Sequence, residues 1–153
     1  ANRAGITAIV KQQFEIGRQV LAAGLMPILE PEVNIKSPER AAADQMLVEE
    51  ILKALDAMPG EDKLMLKLSI PAKAGLYDVL VDHPRVLRVV ALSGGYHRTD
   101  ACTELAKNRG MIASFSRALL EDLRHQMSDA EVDRGVRRFS YRAKSCSVGG
   151  KTC

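Results

Sequence analysis

The sequence is poor in aromatic residues and in residues that bind metals or form disulfides. Its 153 residues include no tryptophan, 4% aromatics, three cysteines and three histidines. The cysteines Cys102, Cys146 and Cys153 are odd in number and form no CxxC pair, which argues against a disulfide framework and fits a reducing compartment. Neither the cysteines nor the histidines have metal-ligand spacing. We therefore expect no metal and no other cofactor.

Long apolar runs are also missing. No stretch is long enough to span a bilayer, and no basic segment followed by an apolar one marks a secretory signal at the N-terminus. We therefore expect no membrane partner, and a cytoplasmic location is the default. The apolar and charged fractions of 46% and 27% are those of an ordinary globular protein, and the length predicts one domain.

The net charge of +3 conceals an uneven distribution. Residues 134–153 contain six of the 22 basic residues and no acidic residue, which leaves 16 basic residues against all 19 acidic residues in the first 133. Nucleic-acid binding would require basic residues gathered on a folded face, whereas a short basic tail is usually solvated. We therefore expect no nucleic-acid partner.

Helix and strand patterns alternate along the chain. A helical pattern over 6–23 comes first, although Gly17 within it lowers helix propensity. Strand patterns follow at 25–33, 63–70, 86–92 and 111–115. Each is followed by a helical pattern, and these lie in the same order at 38–57, 76–82, 99–108 and 117–126. A capping box at Ser128 and Glu131 starts one more helix. This alternation predicts an α/β fold with a parallel sheet. An open doubly wound sheet and a piece of a (β/α)8 barrel both fit; a whole barrel needs about 250 residues.

Lys67 lies late in the second predicted strand, within an otherwise apolar segment. Both candidate architectures bind ligands at the carboxyl ends of their strands. Burial lowers the pKa of a lysine, so a buried lysine must be neutral or paired. A neutral amine can attack a carbonyl and form an iminium, which accepts electrons during carbon–carbon cleavage. The alternative is an edge strand whose polar face contacts water.

Two carboxylates close the first predicted strand. Glu30 and Glu32 are two residues apart and therefore share a face of an extended chain. Near a lysine, such a carboxylate can move protons to and from substrate hydroxyls. The alternative is a pair of ordinary loop acids before a helix.

The third and fourth predicted strands end in groups that suit an anion. The segment Ser93-Gly94-Gly95 offers backbone N–H groups, although a glycine pair after a strand is often only a turn. Arg117 follows the fourth strand, and a guanidinium suits a phosphate, although it could be a surface residue at a helix start. Together these residues support a phosphate site about as strongly as they support a plain turn and a surface arginine.

Four motifs carry a resemblance to a known family. They are Pro-Ile-Leu-Glu-Pro-Glu-Val (27–33), Met-Leu-Lys-Leu-Ser-Ile-Pro (65–71), Leu-Ser-Gly-Gly-Tyr (92–96) and Ser-Phe-Ser-Arg-Ala-Leu (114–119). In order and spacing they resemble the later half of bacterial-type class I fructose-1,6-bisphosphate aldolases. The resemblance implies that residues 1–133 form strands five to eight of a (β/α)8 TIM barrel. Residues 134–153 then form a divergent basic tail, which we expect to be disordered after about residue 139.

The resemblance also implies a reaction and its catalytic residues. Lys67 would form a Schiff base with the ketose phosphate, Glu30 would be the acid/base, and Glu32 would support them in a polar network. The reaction would be the reversible cleavage of fructose 1,6-bisphosphate to dihydroxyacetone phosphate and glyceraldehyde 3-phosphate, in glycolysis and without a metal. A substrate phosphate would be held by Ser93, Gly94 and Arg117, with Gly95 shaping the loop.

The chain departs from the family in lacking the first four strands, which carry an aspartate and two lysines of the site. Activity is therefore expected only with the missing N-terminal half, supplied by a longer protein or by another chain. A second hypothesis is a non-catalytic half barrel that self-associates through its open edges. A third is another lysine Schiff-base enzyme, similar to transaldolase or to deoxyribose-phosphate aldolase.

Overall fold

The computed structural model describes residues 1–116, 120 and 123–147, with only the backbone described at 139 and 141–147. Helices and strands alternate in this part of the chain, as predicted. The helices are α1 (Arg3–Ala22), α2 (Arg40–Asp56), α3 (Asp78–Val81), α4 (Arg98–Leu105) and α5 (Asp129–Ser147), and the strands are β1 (Ile28–Leu29), β2 (Leu64–Ser69), β3 (Val86–Leu92) and β4 (Met111–Ala113).

The strands of the described residues form one parallel sheet in the order β1-β2-β3-β4. A doubly wound sheet reverses its strand order at a switch point, whereas a barrel wall keeps the strands in sequence. Right-handed crossovers that all advance in one direction place their helices on one face of the sheet. The fold is therefore α/β with the topology of half a (β/α)8 barrel. This order decides between the two predicted architectures.

The face of the sheet that meets the helices forms the core. On β2, Leu64, Leu66 and Leu68 are at most 1% exposed and belong to the same apolar cluster as the buried apolar residues of α2. Met65 and Lys67 alternate with them and are partly exposed. From Leu64 to Leu68, this strand therefore has one buried face and one partly exposed face.

The opposite face of the sheet, which we call the inner face, is partly open. On this face, Ile28 of β1 is in register with Met65 of β2. Lys67 of β2 is in register with Val90 of β3, which is in register with Ile112 of β4. Ile28 is 47% exposed although it lies inside a strand. In a closed barrel, side chains of this face pack in layers in the interior.

The first and last strands are shorter than predicted, whereas β3 has its predicted bounds. The pattern over 25–33 contains only the two residues of β1, because the flanking Pro27 and Pro31 have no N–H to donate to a strand ladder. The prediction over 111–115 pairs only at Met111–Ala113. A register shift between Leu64 and Met65 leaves Leu87 of β3 without a counterpart in the ladder, and it is 50% exposed.

The capping box starts α5 as predicted. The Glu131 carboxylate accepts hydrogen bonds from the N–H and the hydroxyl of Ser128, at 2.8 and 2.7 Å. The helix then continues to Ser147. The expectation of disorder after about residue 139 stays a prediction. Pairs such as Arg137 with Asp133, at 2.7 Å, support a polar helix of this kind.

Two segments predicted from the sequence are only partly covered by the described residues. Half of the helix predicted over 117–126 lies outside them, and so does the end of the tail, 148–153. Within that predicted helix, residues 123–126 are described and are not helical, so the prediction is wrong for them. The division into a domain over 1–133 and a tail stays a prediction. Within the described residues, no helix has both the length and the apolarity needed to cross a membrane.

Candidate active site

Lys67 and Glu30 form an ion pair on the inner face of the sheet. The distance from Lys67 Nζ to Glu30 Oε2 is 2.9 Å. Leu29 of β1 lies in register with Leu66 of β2, so the next residue along each chain projects to the opposite, inner face. The Lys67 side chain is 26% exposed. Because β2 lies between β1 and β3, the edge-strand alternative is wrong. Of the two predicted options, pairing or neutrality, the structure shows pairing.

Lys67 and Glu30 line a cleft of about 140 Å³ at the carboxyl ends of the strands. The other lining residues in the described chain are Glu32, Leu92, Ser93, Gly94, Ser114 and Ser116. Three further residues named from sequence therefore join the pair in one cleft: Glu32, Ser93 and Gly94. Their roles stay predictions. A larger groove, of about 320 Å³, lies between α1 and residues 31–37 and contains neither member of the pair.

The segment Ser93-Gly94-Gly95 forms a tight turn beside the cleft. The Tyr96 N–H donates to the Ser93 carbonyl at 3.0 Å. Gly94 and Gly95 have φ angles of 59° and 103°, which residues with a Cβ atom rarely adopt. A Cβ at position 94 would also lie 2.9 Å from Cγ2 of Ile35. Both the backbone conformation and the packing therefore require glycine at position 94.

Arg117, predicted to add a charge for the phosphate, lies outside the described residues. Ser114 and Ser116, which precede it, do reach the cleft and were not predicted as site residues. The Ser114 N–H donates to the Ala91 carbonyl at 2.8 Å and so continues the ladder beyond β4. Counting by twos from Ile112 of the inner face would have identified both serines.

Two side chains that sequence reasoning did not identify hold the segment after β1. The Gln13 amide oxygen, from α1, accepts from the Glu30 N–H at 2.8 Å. The Ser69 hydroxyl, from β2, donates to the Val33 carbonyl at 2.8 Å and accepts from the Val33 N–H at 3.0 Å. The backbone that carries the two glutamates is therefore tied to two neighbouring elements.

The chain has curated relatives at high identity. It is 53% identical over 131 residues to a protein named fructose-bisphosphate aldolase class 1 from Synechocystis, and 52% identical over 131 residues to one of the same name from Porphyromonas gingivalis. The resemblance to class 1 fructose-bisphosphate aldolases is confirmed. The matched residues are 86% of this chain and 44% of each aldolase, so the chain spans less than half of its relatives' length. This coverage is consistent with their C-terminal half. No family model matches the chain.

Helix α2 carries a buried ion pair. Asp44 is fully buried, and its Oδ2 lies 3.7 Å from Nε of Arg40. The Asp44 carboxylate also accepts from the Ala72 N–H at 2.8 Å and from the Tyr77 hydroxyl at 3.5 Å. Burial raises the pKa of Asp44, although the Ala72 hydrogen bond and the Arg40 charge oppose this. Burial and the neighbouring Asp44 charge raise the pKa of Tyr77.

The described residues contain no group of three or more His, Cys, Asp or Glu side chains arranged to hold a metal ion. The expectation that the reaction needs no metal and no other cofactor stays a prediction.

Proposed function

We propose that this chain supplies the Schiff-base half of a class I fructose-bisphosphate aldolase, a carbon–carbon lyase. The proposal rests on the 2.9 Å contact between Lys67 and Glu30 in a polar cleft. It is supported by 53% identity to a protein named as a class 1 aldolase. The substrate is a phosphorylated ketose, and the reaction is the reversible cleavage of fructose 1,6-bisphosphate to two triose phosphates, in glycolysis. A cytoplasmic location is part of the proposal.

Lys67 is the nucleophile in this reaction, and Glu30 moves its protons. The ammonium transfers a proton to Glu30, and the free amine attacks the ketone carbon and forms a carbinolamine. Glu30 returns a proton to the carbinolamine hydroxyl, which leaves as water, and a protonated iminium remains. The bond between C3 and C4 then breaks, and its electron pair moves into the iminium to give an enamine. A base removes the proton of the C4 hydroxyl, and the aldehyde product leaves.

The substrate phosphate binds at the turn that follows β3. Ser93 and Gly94 line the same cleft as Lys67, and β3 is the immediate neighbour of β2. A turn of this kind presents backbone N–H groups, which favour an anion. Arg117 would add a guanidinium, and Glu32 would support the polar network beside Glu30.

Cleavage requires the remaining part of the barrel. The chain spans 44% of its aldolase relatives, and the inner face of its sheet is partly open. We therefore propose that the N-terminal half, in the same longer protein or in a second chain, covers this face and supplies the other site residues.

Complementation tests the proposal. The chain is mixed with the N-terminal segment of the Synechocystis aldolase, and the release of triose phosphate from fructose 1,6-bisphosphate is measured. Lys67→Met should abolish cleavage, and Glu30→Gln should reduce it by about 10²- to 10⁴-fold, the usual contribution of an acid/base. Lys53→Met is the control, because the Lys53 side chain is 68% exposed and forms an ion pair with Glu50 on the same helix. Cleavage retained by Lys67→Met would contradict the proposal. Faster cleavage of a deoxy-sugar phosphate would favour a different Schiff-base aldolase.

A further inference from the structure

One side chain contacts both the segment that follows β2, the strand of Lys67, and the turn that follows β3. Arg40, at the start of α2, is 9% exposed. Its Nη1 donates to the Tyr96 hydroxyl at 2.7 Å, and its Nη2 donates to the Ile70 carbonyl. Ile70 directly follows β2, which carries Lys67, and Tyr96 closes the turn that begins at Ser93. Arg40 therefore contacts the segment of the amine and the segment of the phosphate turn.

The guanidinium is held in place by its own surroundings. Asp44, one helical turn further along α2, is fully buried beside it and also accepts from the Ala72 N–H, which is on the segment after β2. The guanidinium carbon lies 5.6 Å from the centre of the Tyr96 ring, close enough for a cation–π contact. A planar guanidinium donates in fixed directions, which a lysine ammonium on a flexible stem does not. The contact is thus geometrically specific.

A buried ion pair at this place needs an explanation beyond stability. Removing two charges from water costs about as much as their attraction returns, so apolar residues of similar size would stabilise the fold at least as well. The alternative explanation is the geometry that the pair imposes on its hydrogen-bond partners. Those partners are the ends of β2 and of the turn after β3.

We infer that Arg40 is a positioning residue, which holds the Ser93-Gly94-Gly95 turn at the distance from Lys67 that a triose phosphate spans. The inference rests on the proposed function. One substrate molecule must place its ketone carbon at Nζ of Lys67 while its phosphate lies in the turn. If the turn is displaced, a bound phosphate no longer places the ketone carbon at the amine. Adduct formation with a phosphorylated ketone then slows, although the reactive amine is still present.

The experiment traps the Schiff base with borohydride in the full chain, using two ketones. Dihydroxyacetone phosphate carries the phosphate, and dihydroxyacetone lacks it. Arg40→Lys and Tyr96→Phe should slow adduct formation with the phosphorylated ketone by about ten- to a hundredfold, the scale of effect of a misplaced contact. Adduct formation with dihydroxyacetone should not change. Lys53→Met, on the same helix, should react with both ketones as the wild type does. Thermal unfolding of every variant identifies the temperature range in which all are folded.

Each other outcome overturns the inference. An equal loss with both ketones assigns Arg40 a purely structural role. An unchanged preference for the phosphorylated ketone shows that the turn does not depend on Arg40. Tyr96→Phe removes only one hydroxyl and so keeps the test open if Arg40→Lys does not fold. A wild-type chain that forms no adduct with either ketone overturns the proposed function, and the inference with it.

Discussion

Asp44 is the residue at which burial links the stability of this fold to pH. Its pKa is raised, so the folded state favours the protonated carboxyl more than the unfolded state does. The contribution of this group to the free energy of unfolding is therefore complete below its ordinary pKa of 3.8 and is lost as the pH rises through the raised pKa. We expect the free energy of unfolding of the wild type, minus that of Asp44→Asn, to decrease from pH 3.8 to neutral pH.

Urea titrations at several pH values measure this difference. Exposed carboxylates such as Glu49 and Glu131 have a lowered pKa, so their contributions are lost as the pH falls. They titrate in the same way in both proteins and cancel in the difference. A difference that increases with pH would show that the Arg40 charge outweighs burial at Asp44.

Gly94→Ala should lower the free energy of unfolding more than Gly60→Ala does. Gly60 also has a left-handed φ, of 66°, but no atom within 4 Å of an added Cβ. Gly60→Ala should therefore lose about 1–2 kcal/mol of unfolding free energy from backbone strain alone. Gly94→Ala should lose about 1–3 kcal/mol more, because the Cβ would contact Ile35. Adding Ile35→Ala should restore part of that extra loss. Equal losses at the two glycines in urea unfolding would contradict this account of the turn.

At the scale of elements, Ser69 joins β2 to the segment that follows β1. Ser69→Ala would leave the buried N–H and carbonyl of Val33 unpaired, at a cost of about 1–3 kcal/mol of unfolding free energy. Thr103→Ala is the matched control, because the Thr103 hydroxyl donates to the Thr99 carbonyl at an exposed site on α4. It should change the free energy by less than about 0.5 kcal/mol. Similar losses in the two variants would show that the Val33 hydrogen bonds contribute little.

The contact of α1 with β1 shows why part of the fold could not be read from local propensity. Gly17 lowers the helix propensity of α1, and sequence reasoning treated it only as a weakness. A Cβ at this position would lie 3.0 Å from Cδ2 of Leu29, so glycine allows the helix to approach the strand closely. By contrast, the bounds of β3 were predictable because its apolar run ends at a serine and two glycines.

The candidate site was predictable to the extent that it follows strand alternation. Lys67, Glu30 and Ser93 lie at strand ends, and a parallel sheet brings such ends to one edge. Arg40 and Asp44 were missed because charged residues on a helix are usually solvated. Their spacing of four does carry a signal, since it continues the buried positions of α2 backwards from Leu47, Ile51 and Leu55. Which loops they contact depends on tertiary packing, which spacing alone does not specify.

At the scale of the whole molecule, the partly open inner face predicts association. Ile28 is 47% exposed on this face, and Val79 is 52% exposed on α3, away from it. If the inner face binds a second copy when the N-terminal half is absent, Ile28→Asp should weaken self-association in sedimentation experiments, whereas Val79→Asp should not. An equal effect of both substitutions would indicate nonspecific association.

Borohydride trapping shows whether this chain carries the reactive amine of an aldolase site. The chain is incubated with dihydroxyacetone phosphate and borohydride, and the adduct is located by mass spectrometry, with Lys67→Arg and the full-length Synechocystis aldolase as controls. We expect a single adduct on Lys67, which Lys67→Arg does not form. An adduct on the full-length aldolase but none on this chain, or an adduct on a different lysine, would contradict this expectation.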